Sequence, residues 1–244
     1  MLSSTTPFFI IANHYPALLI QNNKENLISI STIQAVAFLE NESKHTKNST
    51  TKMPDTKMHL LDTGYRLIAN KGFTAVGIKQ ILDTAGVPKG SFYHYFASKE
   101  AFGEAIITHY FTRYKERLDL ISTTEVSAQQ KLYNYFQNWY DTQQNGCDHE
   151  KCLVVKLSAE VADLSEPMRI ALNKGYQQTI SWLAEQIKTG WTDNSIPRLD
   201  NIAAESVAKR WYFAWLGASL IAKTSHTNTP LAEVWQMTTS QMGR

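Results

Sequence analysis

The chain has 244 residues, 43% hydrophobic and 19% charged, with a formal net charge of +2. That is ordinary globular composition with length for one or two domains, and it excludes a nonspecific polycation, so any nucleic-acid affinity must come from local charge. Cys147 and Cys152 are too few for a secreted disulfide scaffold, and no run of about 18 apolar residues exists to span a membrane.

At the start, Met1-Leu2-Ser3-Ser4 lacks the basic head of a secretory signal, and the apolar patch from Phe8 to Ile20 is broken by Asn13, His14 and Pro16. The expected location is the cytoplasm, with no membrane partner. Residues 1–52 mix short apolar runs with polar clusters such as Asn41 to Asn48 and Ser49-Thr50-Thr51. Such a tract buries little and reads as a disordered leader, with a translation start at Met53 as the alternative.

From Pro54 onward the pattern is helical and no strand alternation recurs, so the expected class is all-α. Leu60, Leu61, Gly64, Tyr65, Leu67 and Ile68 form one apolar stripe, closed by Lys71-Gly72. Ile78, Ile81, Leu82 and Ala85 repeat the pattern over a short helix ending at Gly86, and a third helix is expected from Pro88 to Tyr95. Ser98 caps a long helix reaching about Ser122, with Glu100 and Glu104 complementing its dipole. Further helices are expected over Ala128–Gln144, Leu153–Leu164, Pro167–Lys188, Ile202–Lys223 and Leu231–Met242. Gly190 and the segment Asp193 to Pro197 read as breaks between them.

The segment Gly77 to Phe96 has the shape of a helix-turn-helix. One amphipathic helix ends at a glycine able to take positive φ, Val87 can fill the angle, and Pro88 presets the next helix. Phe92 and Phe96 can anchor the second helix, leaving Lys89, Gly90, Ser91, Tyr93, His94 and Tyr95 outward. Lys89 and Lys99 supply charge for phosphates, the hydroxyls of Ser91, Tyr93 and Tyr95 can donate to phosphate oxygens, and Gly90 permits close approach. Lys89 and His94 are the leading candidates for base contact. Between Asp55 and Lys115, eight Lys and Arg residues oppose five acids. The competing reading of the spacing alone is a helical hairpin that binds nothing.

The run Gly72-Phe73-Thr74, then Ile81, then Ala85 through Phe96, then Ser98-Lys99-Glu100-Ala101-Phe102 resembles the DNA-binding domain of TetR-family regulators. The likeness covers about Met58 to Leu118. It implies a three-helix DNA-binding head over residues 54–114 and a helical effector and dimerisation body over 115–244. It also implies a homodimer on double-stranded operator DNA, associated with the bacterial nucleoid, and a repressor rather than an enzyme. By the resemblance, Lys89 to Tyr95 and Lys99 would meet the operator.

In the second half, Lys151 to Arg169 and Trp215 to Lys223 resemble the matching segments of NemR-type repressors, which release DNA when electrophiles or oxidants modify cysteine. The resemblance makes Cys152 the candidate sensor and Lys223 the basic residue closing the second segment. Ala162 stands where such proteins can carry a second cysteine. Lys151 and Lys156 beside Cys152, near a helix start, favour thiolate over thiol. The alternative is a small buried hydrophobe. Cys147-Asp148-His149-Glu150-Lys151-Cys152 has a Cys-x₄-Cys spacing, but no second ligand pair follows, so no metal or cofactor is expected. A Cys147–Cys152 disulfide remains an alternative oxidised state.

The aromatic groups Tyr133, Tyr135, Phe136, Trp139, Tyr140 and Trp211, Tyr212, Phe213, Trp215 read mainly as core, with a ligand cavity as the other possibility. Trp215, Leu216, Leu220, Leu231 and Trp235 are expected at the seam of a four-helix dimer interface. A repressor controlled by a non-covalent ligand stands as the alternative function. A helical enzyme is the other class, unsupported by any nucleophile elbow, glycine-rich phosphate loop or His-Glu-x-x-His.

Overall fold

The computed structural model describes residues 55–145, 153–199 and 202–244. The leader, Met53, Cys147 and Cys152 lie outside the described residues. The described elements, in chain order, are α1 (Thr56–Lys71), α2 (Ile78–Ala85), α3 (Lys89–Tyr95), α4 (Lys99–Ser122), α5 (Ala128–Asn145), α6 (Leu153–Val161), α7 (Glu166–Thr192), α8 (Ala204–Ser225) and α9 (Thr229–Gln241). Among the described residues there is no strand, as the all-α expectation requires.

Local signals set the helix ends. The Asp55 carboxylate accepts from the Lys57 amide at 3.1 Å, and Ser98 Oγ accepts from the Ala101 amide at 3.1 Å, satisfying donors the first turns leave open. Glu100 in the first turn of α4 is held below the usual carboxylate range by its own backbone amide and by Ser98. Helix α2 stops at Gly86, whose φ of 65° and ψ of 32° lie in the left-handed region. A Cβ there would meet nothing within 4 Å, so only backbone strain opposes substitution. Gly86→Ala is expected to cost about 1–2 kcal/mol. Gly86→Asn should cost less, because asparagine tolerates this region. Thermal denaturation of the two variants checks the order.

Two apolar clusters hold the fold. The first joins α1, α2 and α3 to the front half of α4 through Leu60, Ile68, Val76, Ile81, Phe92 and Phe102, and continues into α6 and α7 through Leu157, Val161 and Met168. The second fills the space among α5, α7, α8 and α9. Here Phe136 stacks on Trp215 at 5.1 Å and Trp139 meets Tyr212 at 5.7 Å edge-on. Two of its buried indoles find partners: Trp139 donates to Ser219 at 3.1 Å and Trp215 to Thr238 at 3.0 Å. The expectation that the aromatic groups are mainly core therefore holds for Tyr135, Phe136, Trp139, Trp211, Tyr212 and Trp215, while Phe213 is exposed.

Three expectations are corrected. Helix α7 does not end near Lys188 but continues to Thr192. Gly190 lies inside it because Ile196 packs on that spot: a Cβ would come within 2.4 Å of Ile196 Cδ1. Helix α6 stops at Val161 rather than Leu164. Trp215 and Leu231, assigned from sequence to a dimer seam, are 0% and 1% exposed and belong to the chain's own core. The apolar side chains α8 leaves outside are Phe213, Leu220 and Ile221.

Candidate nucleic-acid interface

Helix α3 is placed by its aromatic face. Phe92 is fully buried, with ring centroids 5.1 Å from Phe102 and 5.4 Å from Phe96. The chain enters α3 through Val87, half-buried against the same cluster, and through Pro88 at φ −61°. Val87 N–H donates to the Leu82 carbonyl at 3.1 Å, so the turn between α2 and α3 is closed by backbone bonds. This is the helix-turn-helix expected over Gly77 to Phe96, with α3 in the recognition position.

Opposite Phe92, the structure exposes Lys89, Gly90, Tyr93, His94 and Tyr95, and leaves Ser91 half-buried. Tyr93 is 48% and Tyr95 38% exposed. Lys89 Nζ sits 5.8 Å from the Tyr93 ring centroid, and the His94 and Tyr95 rings meet edge-on at 4.8 Å.

Lys99, at the first turn of α4, is half-buried. Its ammonium donates to the Thr74 carbonyl at 3.3 Å and lies 4.6 Å from the Phe73 centroid. The Phe73–Thr74 turn is in turn bonded to Glu160 on α6, and Lys156 of α6 donates to the Asn70 carbonyl. Sequence reading missed Glu160 and gave Lys156 a role only beside Cys152, since nothing local in Lys156-Leu157-Ser158-Ala159-Glu160 announces partners in α1 and the turn after it.

Cys152 falls outside the described residues, one position before α6. Lys223 is exposed in the last turn of α8, and α6 packs against α8. Among the described residues no group of three or more His, Cys, Asp or Glu is placed to hold a metal ion, and no helix is long and apolar enough to cross a membrane. An open cleft of about 440 Å³ lies between α4 and α7, lined by residues including Phe111, Tyr114, Leu118, Thr179 and Trp182.

Residues 60–112 match the family described as bacterial regulatory proteins, tetR family, and residues 128–238 match the tetracyclin repressor-like C-terminal domain. The chain is 40% identical over 193 residues to the HTH-type transcriptional repressor NemR of Escherichia coli K12, covering 78% of this chain and 92% of that protein. It is 31% identical to the transcriptional regulator AcuR of Cereibacter sphaeroides, over 70% of this chain and 78% of that one. The crystal structure of the reduced form of E. coli NemR superposes with a TM-score of 0.70 at 39% identity, covering 75% of this chain and 95% of that chain. With the buried Phe92 anchoring a helix-turn-helix to a helical body that matches along its length, the chain belongs to the TetR family of transcriptional repressors.

Proposed function

We propose that this repressor binds operator DNA as a homodimer through α3 and Lys99, and releases it when a reactive electrophile or oxidant modifies Cys152. The head is taken as residues 54–114 and the body as 115–244. The observation that carries the DNA part is the exposed row Lys89, Gly90, Tyr93, His94 and Tyr95 opposite a fully buried Phe92. Lys89 and His94 are assigned to base edges, and Ser91, Tyr93, Tyr95 and Lys99 to phosphates. TetR-family regulators act as dimers, and Phe213 and Leu220, seven residues apart on α8 and exposed in the single chain, supply an apolar stripe for that contact. The site of action is the bacterial cytoplasm, at the nucleoid.

The sensing part rests on 40% identity to NemR, whose crystal structure is that of a reduced form. Lys151 and Lys156 flank Cys152 in sequence, and the following residue opens α6. Positive charge and a helix start both stabilise a thiolate, the form that attacks. Two outcomes are chemically complete. The thiolate adds to a quinone or an aldehyde carbon, forming a C–S bond as the acceptor takes the electron pair and a proton. Alternatively, hypochlorite oxidises it to a sulfenic acid and leaves chloride, after which an amine such as Lys223 forms an S–N bond with loss of water. Chemistry needing a cysteine at position 162 is excluded, because alanine stands there.

The test is a gel shift on the gene's own upstream DNA, with and without a quinone or hypochlorite. Wild type and Cys152→Ser should bind equally, and only wild type should release. Release of the serine variant at the wild-type reagent dose would reject the cysteine. A non-covalent inducer is favoured by one observation, the cleft between α4 and α7, whose volume suits a small molecule. Under that reading intact mass would be unchanged in the induced protein.

A further inference from the structure

Helix α6 touches the end of α1 and the turn after it through two side chains one turn apart. Lys156 Nζ donates to the Asn70 carbonyl at 3.1 Å, close to the C-terminal end of α1 where carbonyls lack helical partners. Glu160 accepts from two successive amides, Phe73 N–H at 3.0 Å and Thr74 N–H at 2.6 Å. The chain reaches that carboxylate through Gly72, at φ 91°, where a Cβ would stand 2.9 Å from Glu160 Oε2.

What the turn does next matters for the candidate interface. Phe73 is 3% exposed and its ring lies over Gly103 of α4, where a Cβ would come within 2.6 Å of it. The Thr74 carbonyl accepts from Lys99 Nζ, and the same ammonium lies over the Phe73 ring. Residue Thr74 thus has a carboxylate of α6 on its N–H and the Lys99 ammonium on its carbonyl. The two bonds, one on each side of the Thr74 Cα, fix the orientation of both peptide units of the turn. Burial pushes the Glu160 carboxyl up, but the bonds from Thr74 and Phe73 and the charge of Lys156 outweigh it and hold it below the usual range. Glu160 is therefore ionised at neutral pH, and its bonds are charge-assisted.

We propose that Glu160 is a positioning residue for operator binding: by accepting both amides it fixes the Phe73–Thr74 turn, and the Thr74 carbonyl then holds Lys99 beside α3 for a phosphate. This rests on the reading of α3 and Lys99 as the operator surface. Lys99 has three ammonium donors, so the bond to Thr74 leaves two for the phosphate. Without the carboxylate, the turn and the ammonium lose their shared anchor.

The experiment compares wild type, Glu160→Gln, Glu160→Ala, Lys99→Ala and the Glu160→Ala/Lys99→Ala double variant. Operator affinity is followed by fluorescence anisotropy across a salt series, and hydrogen exchange is read on the peptide spanning 70–76. Glu160→Ala should bind about tenfold more weakly. Its slope of log affinity against log salt should be shallower by roughly two, for one phosphate lost per protomer of a dimer. Exchange at the Phe73 and Thr74 amides should rise, with the nearly isosteric Glu160→Gln intermediate. The double variant should bind no more weakly than Lys99→Ala, the non-additivity expected of residues acting in series. Wild-type affinity and slope in both Glu160 variants, or full additivity with Lys99→Ala, overturns the proposal. A merely structural role would lower the melting temperature and leave the salt slope unchanged. If the wild type fails to bind the operator, the operator reading falls first, whatever the exchange data show.

Discussion

Replacing Phe92 with alanine is expected to weaken operator binding severely while the body stays folded. Helix α3 has 7 residues, far short of the roughly 12 needed for a helix to hold on its own in water. Its position comes from one buried ring, which is fully enclosed and meets Phe96, Phe102 and Tyr93 within 5.4 Å. Truncating such a ring typically costs about 3–5 kcal/mol. Marginal domains hold only about 5–15 kcal/mol in total, and parts that make fewer buried contacts open first. The loss therefore falls on the head. At about 1.4 kcal/mol per tenfold, binding should drop by roughly two orders of magnitude or more. Phe92→Leu, which retains most of the volume, should keep most of the affinity. The aromatic cluster among α5, α7, α8 and α9 does not touch Phe92, so far-UV circular dichroism should show little helix lost. Phe92→Ala binding within about threefold of wild type would contradict the assignment of α3.

How much of this was legible in the sequence differs between head and body, for physical reasons. The head is built from contacts close along the chain, where capping residues, a stop glycine and the Phe92–Phe96 pair each report on their own neighbourhood. Ser98 and Gly86 do in the structure what their residue types favour. In the body, Gly190 has the same letter as Gly86 and another cause, the close approach of Ile196, which periodicity does not reveal. Trp215 and Leu220 both sit on α8, which is apolar on more than one side; spacing groups them without saying which face meets the chain's own core. Glu160 and Thr74 are 86 positions apart, and their bond follows only once α6 is packed beside the head. Cys152 was legible as a candidate through its flanking lysines and the family resemblance, whereas its surroundings belong to tertiary structure.

In the body, the largest single loss is expected at Trp215. The indole is fully buried, stacked on Phe136 at 5.1 Å and tilted against Trp139 at 5.6 Å, and it meets Trp235 at 6.3 Å edge-on. It therefore ties α8 to both α5 and α9. Its ring nitrogen donates to Thr238 Oγ1, which itself donates to the Val234 carbonyl. Trp215→Ala removes the whole ring from a close-packed cluster and should cost about 3–5 kcal/mol. For a protein of this size each kcal/mol shifts the melting temperature by about 2–4 °C, so a drop of roughly 6–20 °C is expected. Trp215→Phe keeps most of the stacking area and gives up the N–H bond. Thr238 keeps a partner in Val234, so that loss should stay near the cost of one hydrogen bond, about 1 kcal/mol. The exposed Phe213, two positions earlier, supplies the contrast: Phe213→Ala should leave the melting of the isolated protomer nearly unchanged and act on association. Size-exclusion chromatography coupled to light scattering, run beside the melts, separates the two effects. Equal melting losses for Trp215→Ala and Phe213→Ala at concentrations where the protein is monomeric would mean that the inward and outward faces of α8 have been exchanged.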